Sequence, residues 1–340
     1  MRRGRYAPIA LALLAALTTL VGAAAANEST TASSSALGPY PNLGACPVFP
    51  VPPASLPATA PSLPNESAWN QNISRAPLDP RSAAYIAYID SHGGDHLHPD
   101  FGSPRSYGFP YAVVEAGQRR LPIHYTAYGS ESDRGPFPIP QGAPIEGGQR
   151  SEGDRHVLVV DRSNCMLYEL YRAFYKSGPS PHWSADSGVE WNLRSTVLRP
   201  DSWTSADAAG LPIFPGLVRY EEATAGRLDH AIRVTFDSTR NAWVHPGSHC
   251  AGDTSDPAAP PMGLRLRLRR GYALAGFTGA ARAIAVALKR YGLIVADNGS
   301  NWYISGTSDR RWDDENLDQL KRIPGSAFQV VKSAAPIHTC

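Results

Sequence analysis

Two groups of residues in this chain have the types and spacing for chemistry. The denser is His92-Gly93-Gly94-Asp95-His96-Leu97-His98-Pro99-Asp100, three imidazoles and two carboxylates on a Gly-containing stretch. Such side chains suit a divalent ion if the loop folds them inward. Metal centres normally draw ligands from distant elements as well. The stretch therefore reads as a solvated turn after a helix, with Asp95 and Asp100 bonded to nearby backbone, and neither a tight metal site nor a cofactor is expected.

The second group is spread over central strand-like segments: Glu169, Glu190, Asp207, Glu221 and His230, with Tyr168, Trp191, Trp203 and Tyr220 close by. Two carboxylates across a groove serve glycoside hydrolysis. A polysaccharide lyase needs a base beside an arginine that neutralises a uronate, for which His230, Tyr220 and Arg219 are available. The catalytic candidates are thus Glu169, Asp207, Glu221 and His230, and the substrate-binding candidates Trp191, Trp203, Arg219 and Tyr220. The plainer reading of each charge is an exposed strand face. His230 shares its parity with Leu228, Ile232, Val234 and Phe236, so it points into the core or a cleft floor, away from the wet side that carries Asp229 and Arg233. A hydrogen-bonded core histidine is the ordinary outcome there; in a cleft it should stand beside at least one of Glu169, Arg219 and Glu221. Asp207 can also complete a capping box begun by Thr204, and Asp297-Asn298-Gly299 reads as a tight turn.

Several signatures are missing. The chain has no Gly-x-Ser-x-Gly elbow, His-Glu-x-x-His, Walker loop or Gly-x-Gly-x-x-Gly, which argues against common esterases, zinc proteases and nucleotide enzymes. The expectation is an exported enzyme acting on polysaccharide or cell-surface glycan, hydrolase or lyase. A non-catalytic extracellular carbohydrate- or cell-surface-binding protein is the alternative: an enzyme shows converging ionisable groups in a groove, a binding module aromatics on a flat face.

The elements that must position these residues are mostly strands. Segments 109–115, 120–127, 156–161, 165–175, 188–194, 216–221, 228–236, 241–245 and 264–269 carry strand patterns, and 156–161 with 165–175 forms a hairpin. In the last segment Leu264, Leu266 and Leu268 alternate with arginines. Asp79-Pro80 opens a short helix with Tyr85, Ile86 and Ile89 on one face. A second helix, Gly279 to Tyr291, presents Ala281, Ile284, Ala285 and Leu288 and leads into a strand at 293–296. An antiparallel β-sandwich or jelly-roll with peripheral helices is expected.

The N-terminus has Arg2, Arg3 and Arg5, an apolar run from Ile9 to Val21, and small residues to Ala26. That is the order of a cleavable export signal over residues 1–26. Residues 27–78 are Ser- and Pro-rich and read as a linker or strap, leaving 79–340 as one globular domain. The four cysteines, Cys46, Cys165, Cys250 and Cys340, should pair outside the cytoplasm; the nested pairing Cys165 with Cys250 and Cys46 with Cys340 is preferred. A net charge of +2 points to neither nucleic acid nor a membrane surface as partner, and no membrane insertion is expected once the signal is removed.

The stretches 153–161, GDRHVLVVD, 203–212, WTSADAAGLP, and 296–302, ADNGSNW, resemble a group of secreted bacterial hypothetical proteins. The resemblance covers most of the chain after about residue 80. It implies export and one integrated domain, and carries over no catalytic residue.

Overall fold

The computed structural model describes residues 42–48, 67–102, 108–333 and 335–340. The export signal and most of the expected linker lie outside them. The linker's end does not: Trp69 and Ile73 are buried, and Ala231 N donates to Trp69 O at 2.6 Å. The packed body therefore begins by Ser67, ahead of the boundary expected at Asp79.

Strands outnumber helices, and two sheets carry the architecture. One runs Tyr111–Val114, Val157–Asp161, Met166–Tyr171, Ser187–Asn192 in spatial order. The other runs Tyr303–Ile304, Ile232–Phe236, Leu293–Asn298, Arg265–Leu268, Phe328–Val330. Two three-stranded sheets flank them. The antiparallel sandwich expected from the pattern is corrected to mixed sheets: Tyr111–Val114 pairs parallel with Val157–Asp161, and Ile232–Phe236 parallel with Leu293–Asn298. Alternation of side chains reports which face is wet, but is silent on the direction of the neighbouring strand. The long intervals between these strands leave room for the crossovers that parallel pairing needs.

Val157–Asp161 explains why its sequence is a continuous apolar run. Val157 and Val159 pack into one core with Tyr168 and Leu170, while Leu158 and Val160 pack into another with Leu167 and Trp191. A strand covered on both faces has no polar side to alternate with. Its hairpin with Met166–Tyr171 forms as expected, through a turn in which Cys165 takes φ 59°.

The helix Gly279–Arg290 buries the predicted Ala281, Ile284, Ala285 and Leu288. Its first turn is capped from outside, by Asn316 Oδ1 accepting from Ala281 N at 3.0 Å. It ends at Gly292 (φ 75°), where a Cβ would lie 2.0 Å from Leu266 O, so only glycine lets the chain turn back into Leu293–Asn298. The strand expected at 216–221 is instead the 3-10 turn Phe214–Gly216 and the helix Tyr220–Thr224. Pro215-Gly216 breaks the extended run, and Glu222 accepts from Arg219 N at 3.0 Å to start the helix.

The disulfides join Cys46 to Cys165 and Cys250 to Cys340, with Cα separations of 5.3 and 6.4 Å. The nested pairing is thereby corrected. Cys165 sits on the hairpin turn, where the segment 42–48 arrives, and the C-terminal strand His338–Thr339 pairs with Arg240–Trp243, which delivers Cys340 to Cys250.

Candidate functional site

A cavity of about 210 Å³ opens where the two large sheets end. Asp154 and His156 come from the approach to Val157–Asp161, Tyr171 from the end of Met166–Tyr171, Asp207 from the loop after Trp203, and Asp297 from the end of Leu293–Asn298. The ladder between Leu293–Asn298 and Ile232–Phe236 shifts register between Val295 and Asp297. Such a bulge re-aims the side chain that follows it.

Beneath the cavity lies Arg233, 2% exposed. Its Nη2 is 2.6 Å from Asp207 Oδ1 and 3.2 Å from Asp297 Oδ2, and its Nη1 donates to Ser305 Oγ at 2.8 Å. The guanidinium also lies 5.1 Å from the centre of the Phe109 ring. Burial and the neighbouring Asp207 push the Asp297 carboxyl up to about 7, against the pull of Arg233. Burial raises Asp207 as well, with Arg233 opposing. Asp207 makes the shorter contact and has no exposed side-chain surface, whereas the Asp297 side chain is 22% exposed. The charge of the pair therefore rests on Asp207, and Asp297 holds the exchangeable proton at the cavity wall.

His156 is a second buried cation. Burial disfavours its charge, but Glu146 Oε2, 2.5 Å from Nδ1, overrides this and raises the imidazole to about 9; its Nε2 faces Ala206 O at 2.9 Å. Burial opposes the ionisation of Glu146 too, and His156 outweighs it, so that carboxyl is held below its ordinary value.

The candidates taken from the sequence are scattered. Asp207 reaches this cavity, though as the buried partner of Arg233; the expected capping box does not form, since no helix follows Thr204 and Asp207 N bonds Ser205 Oγ at 2.9 Å. Glu169 is fully buried. It accepts from Trp191 Nε1 at 3.1 Å and from the backbone N–H groups of Ile213 and Phe214 at 3.0 and 2.9 Å, and burial pushes it up to about 7. Trp191 is thereby committed to the core. Glu221 is exposed and paired with Arg311. Tyr220 packs edge-on against Trp312 under the same arginine. Trp203 is half-buried beneath Arg199, 5.0 Å away. His230 is buried with Nε2 2.9 Å from Glu222 Oε1, and Arg219 Nη2 is 2.6 Å from the same carboxylate. The residue that satisfies His230 is thus Glu222, with Arg219 joined through it, and neither Glu169 nor Glu221 contacts it.

In the 92–100 stretch His92 bonds Tyr88 O, His96 bonds Asp95, and His98 bonds Asp100, which also meets Lys321 at 2.7 Å. Among the described residues no three His, Cys, Asp or Glu side chains are grouped to hold a metal ion. The residues sequence reasoning missed are Asp154, His156, Arg233 and Asp297. Three of them lie in the motif-like stretches 153–161 and 296–302; Arg233 gave the wrong signal, because strand parity placed it on the wet face. The chain matches no family model, and no curated protein or solved structure is significantly similar to it.

Proposed function

We propose that this chain is an exported glycan-acting hydrolase whose acid–base residue is Asp297. The observation that carries the reading is geometric: the Asp297 carboxyl stands at the wall of a cavity and shares the buried Arg233 with Asp207, and burial and that neighbouring carboxylate raise it to about 7. A group poised near the working pH is what proton transfer to a leaving oxygen requires. In this reading Asp297 gives its proton to the glycosidic oxygen as the bond to the ring carbon breaks. Water then adds to that carbon and returns a proton to Asp297. Asp154, exposed at the mouth, places a carboxylate near the positive charge that develops on the sugar ring.

The size of the cavity suits a single sugar unit and supports action at chain ends. The lyase reading has less support, because Arg219 is held by Glu222 and the carbonyls of Phe214 and Leu217. The tryptophans supply no flat platform for a binding module: six of the seven are buried and Trp203 is half-buried. Two disulfides fit work in an oxidising compartment, and among the described residues no helix is long and apolar enough to cross a membrane.

The test is release of reducing sugar from a panel of polysaccharides and chromogenic glycosides by the purified protein, beside Asp297→Asn. Activity lost in the variant with an unchanged circular dichroism spectrum supports the reading. Binding of glycans with no release would leave a carbohydrate-binding protein, and undiminished release by Asp297→Asn would remove the residue from the mechanism.

A further inference from the structure

The side chains around the cavity are unevenly supplied with open hydrogen-bonding groups. Ser187 Oγ donates to Ser205 O at 2.7 Å and Ser205 Oγ to Leu211 O at 2.6 Å. Asn298 Nδ2 donates to Ala251 O, and both nitrogens of His156 are engaged. His249 Nδ1 faces Ala208 O at 3.0 Å, and its Nε2 lies 3.9 Å from Glu131 Oε2. Apart from the hydroxyls of Tyr128 and Tyr171 and the proton of Asp297, the side-chain donors at this wall are directed at the protein itself, and the exposed carboxylate of Asp154 is an open acceptor.

Charge follows the same division. Arg233 is matched by Asp207 and Asp297, and His156 by Glu146. Asp154 is exposed; its backbone oxygen accepts from Arg172 N at 2.8 Å, while its carboxylate makes no hydrogen bond or ion pair among the described residues. An anionic ligand would find a carboxylate and no free cationic donor, whereas a protonated amine would find Asp154 with tyrosine rings beside it.

We infer that the ligand of this cavity carries a protonated amine on a polyhydroxylated ring, an amino sugar, and that Asp154 is the residue that selects it. The inference concerns the same cavity as the proposed hydrolysis but rests on recognition alone, so the two can fail separately. Calorimetric titration of the purified protein at neutral pH with D-glucosamine, D-glucose and D-glucuronate tests it. Glucosamine should bind at least about tenfold tighter than the other two, about 1.4 kcal/mol, and Asp154→Asn should erase that preference while leaving the circular dichroism spectrum intact. Equal or tighter binding of glucuronate, a preference that survives in Asp154→Asn, or no glucosamine binding would each overturn the inference. Amine preference without sugar release would sink the hydrolase reading alone; release of neutral sugars without amine preference would sink this inference alone.

Discussion

Arg233 and Asp207 form an ion pair in which both side chains are out of water, 2% and 0% exposed, with Nη2 2.6 Å from Oδ1. The pair ties the strand Ile232–Phe236 to the loop after Trp203, and so fixes the floor on which Asp297 stands. Breaking such a pair leaves one buried charge uncompensated, at a cost of about 3–5 kcal/mol. Arg233→Met should destabilise by that amount in urea unfolding. Asp207→Asn in the same background should cost much less than it does alone, because the charge it removes has already lost its partner. Additive costs would show that the pair is not coupled.

The buried His156–Glu146 pair sets a pH dependence of stability. The folded pKa of about 9 lies above the ordinary 6.5, so the stabilisation is fully present below about 6.5 and is lost as pH rises through 9. The size is about 3 kcal/mol. Asp297 and Glu169 act in the same direction over a lower window: each is raised to about 7, so ionising them on going from about pH 4 to 7 lowers stability. Glu146 and Glu222 are held below their ordinary values and oppose this at the acid end, where stability falls as they are protonated. Unfolding free energy should therefore peak in mildly acid solution and decline toward pH 9. Glu146→Gln should remove the decline between pH 6.5 and 9, and a wild-type curve flat over that interval would contradict the assignment.

What could be read in advance follows from how local each signal is. The hairpin of Val157–Asp161 with Met166–Tyr171 and the apolar face of Gly279–Arg290 are written in consecutive residues, and both were legible. Pairing direction, the disulfide partners and the site depend on segments far apart in the chain. Arg233 shows the difficulty best. Its neighbours predict a wet face, yet that face is covered by the loop bearing Asp207, 26 residues away in sequence, and no periodicity reports a cover supplied from elsewhere. Asp297 likewise has sufficient local reason to be a turn residue, and only the bulge and Arg233 give it another role.

The disulfide arrangement predicts a specific peptide map. Non-reducing digestion followed by mass spectrometry should give Cys46 linked to Cys165 and Cys250 linked to Cys340; a Cys165–Cys250 peptide would refute it. The bridges span 119 and 90 residues of chain, and closing loops of that size stabilises by about 2–5 kcal/mol each. Cys46→Ala with Cys165→Ala should lower the melting temperature without changing whatever ligand binding the wild-type cavity shows.

His230 provides the last prediction. Its strand parity marks it as inward-facing, and it is 4% exposed, but what it meets inside is a pre-formed set of partners. Nε2 lies 2.9 Å from Glu222 Oε1 and Nδ1 2.7 Å from Ala231 O, and Glu222 in turn receives Arg219. Both ring nitrogens are engaged, and the residue does not line the cavity that holds Asp297. Removing the ring leaves Glu222 with one partner fewer in a buried setting, a loss of about 1–3 kcal/mol. His230→Ala should therefore unfold at lower denaturant concentration while its folded fraction retains whatever sugar binding or release the wild type shows, with an unchanged pH profile. A folded His230→Ala protein whose affinity or rate for a glycan fell tenfold or more would place His230 in the functional site after all and require that site to extend to the helix Tyr220–Thr224.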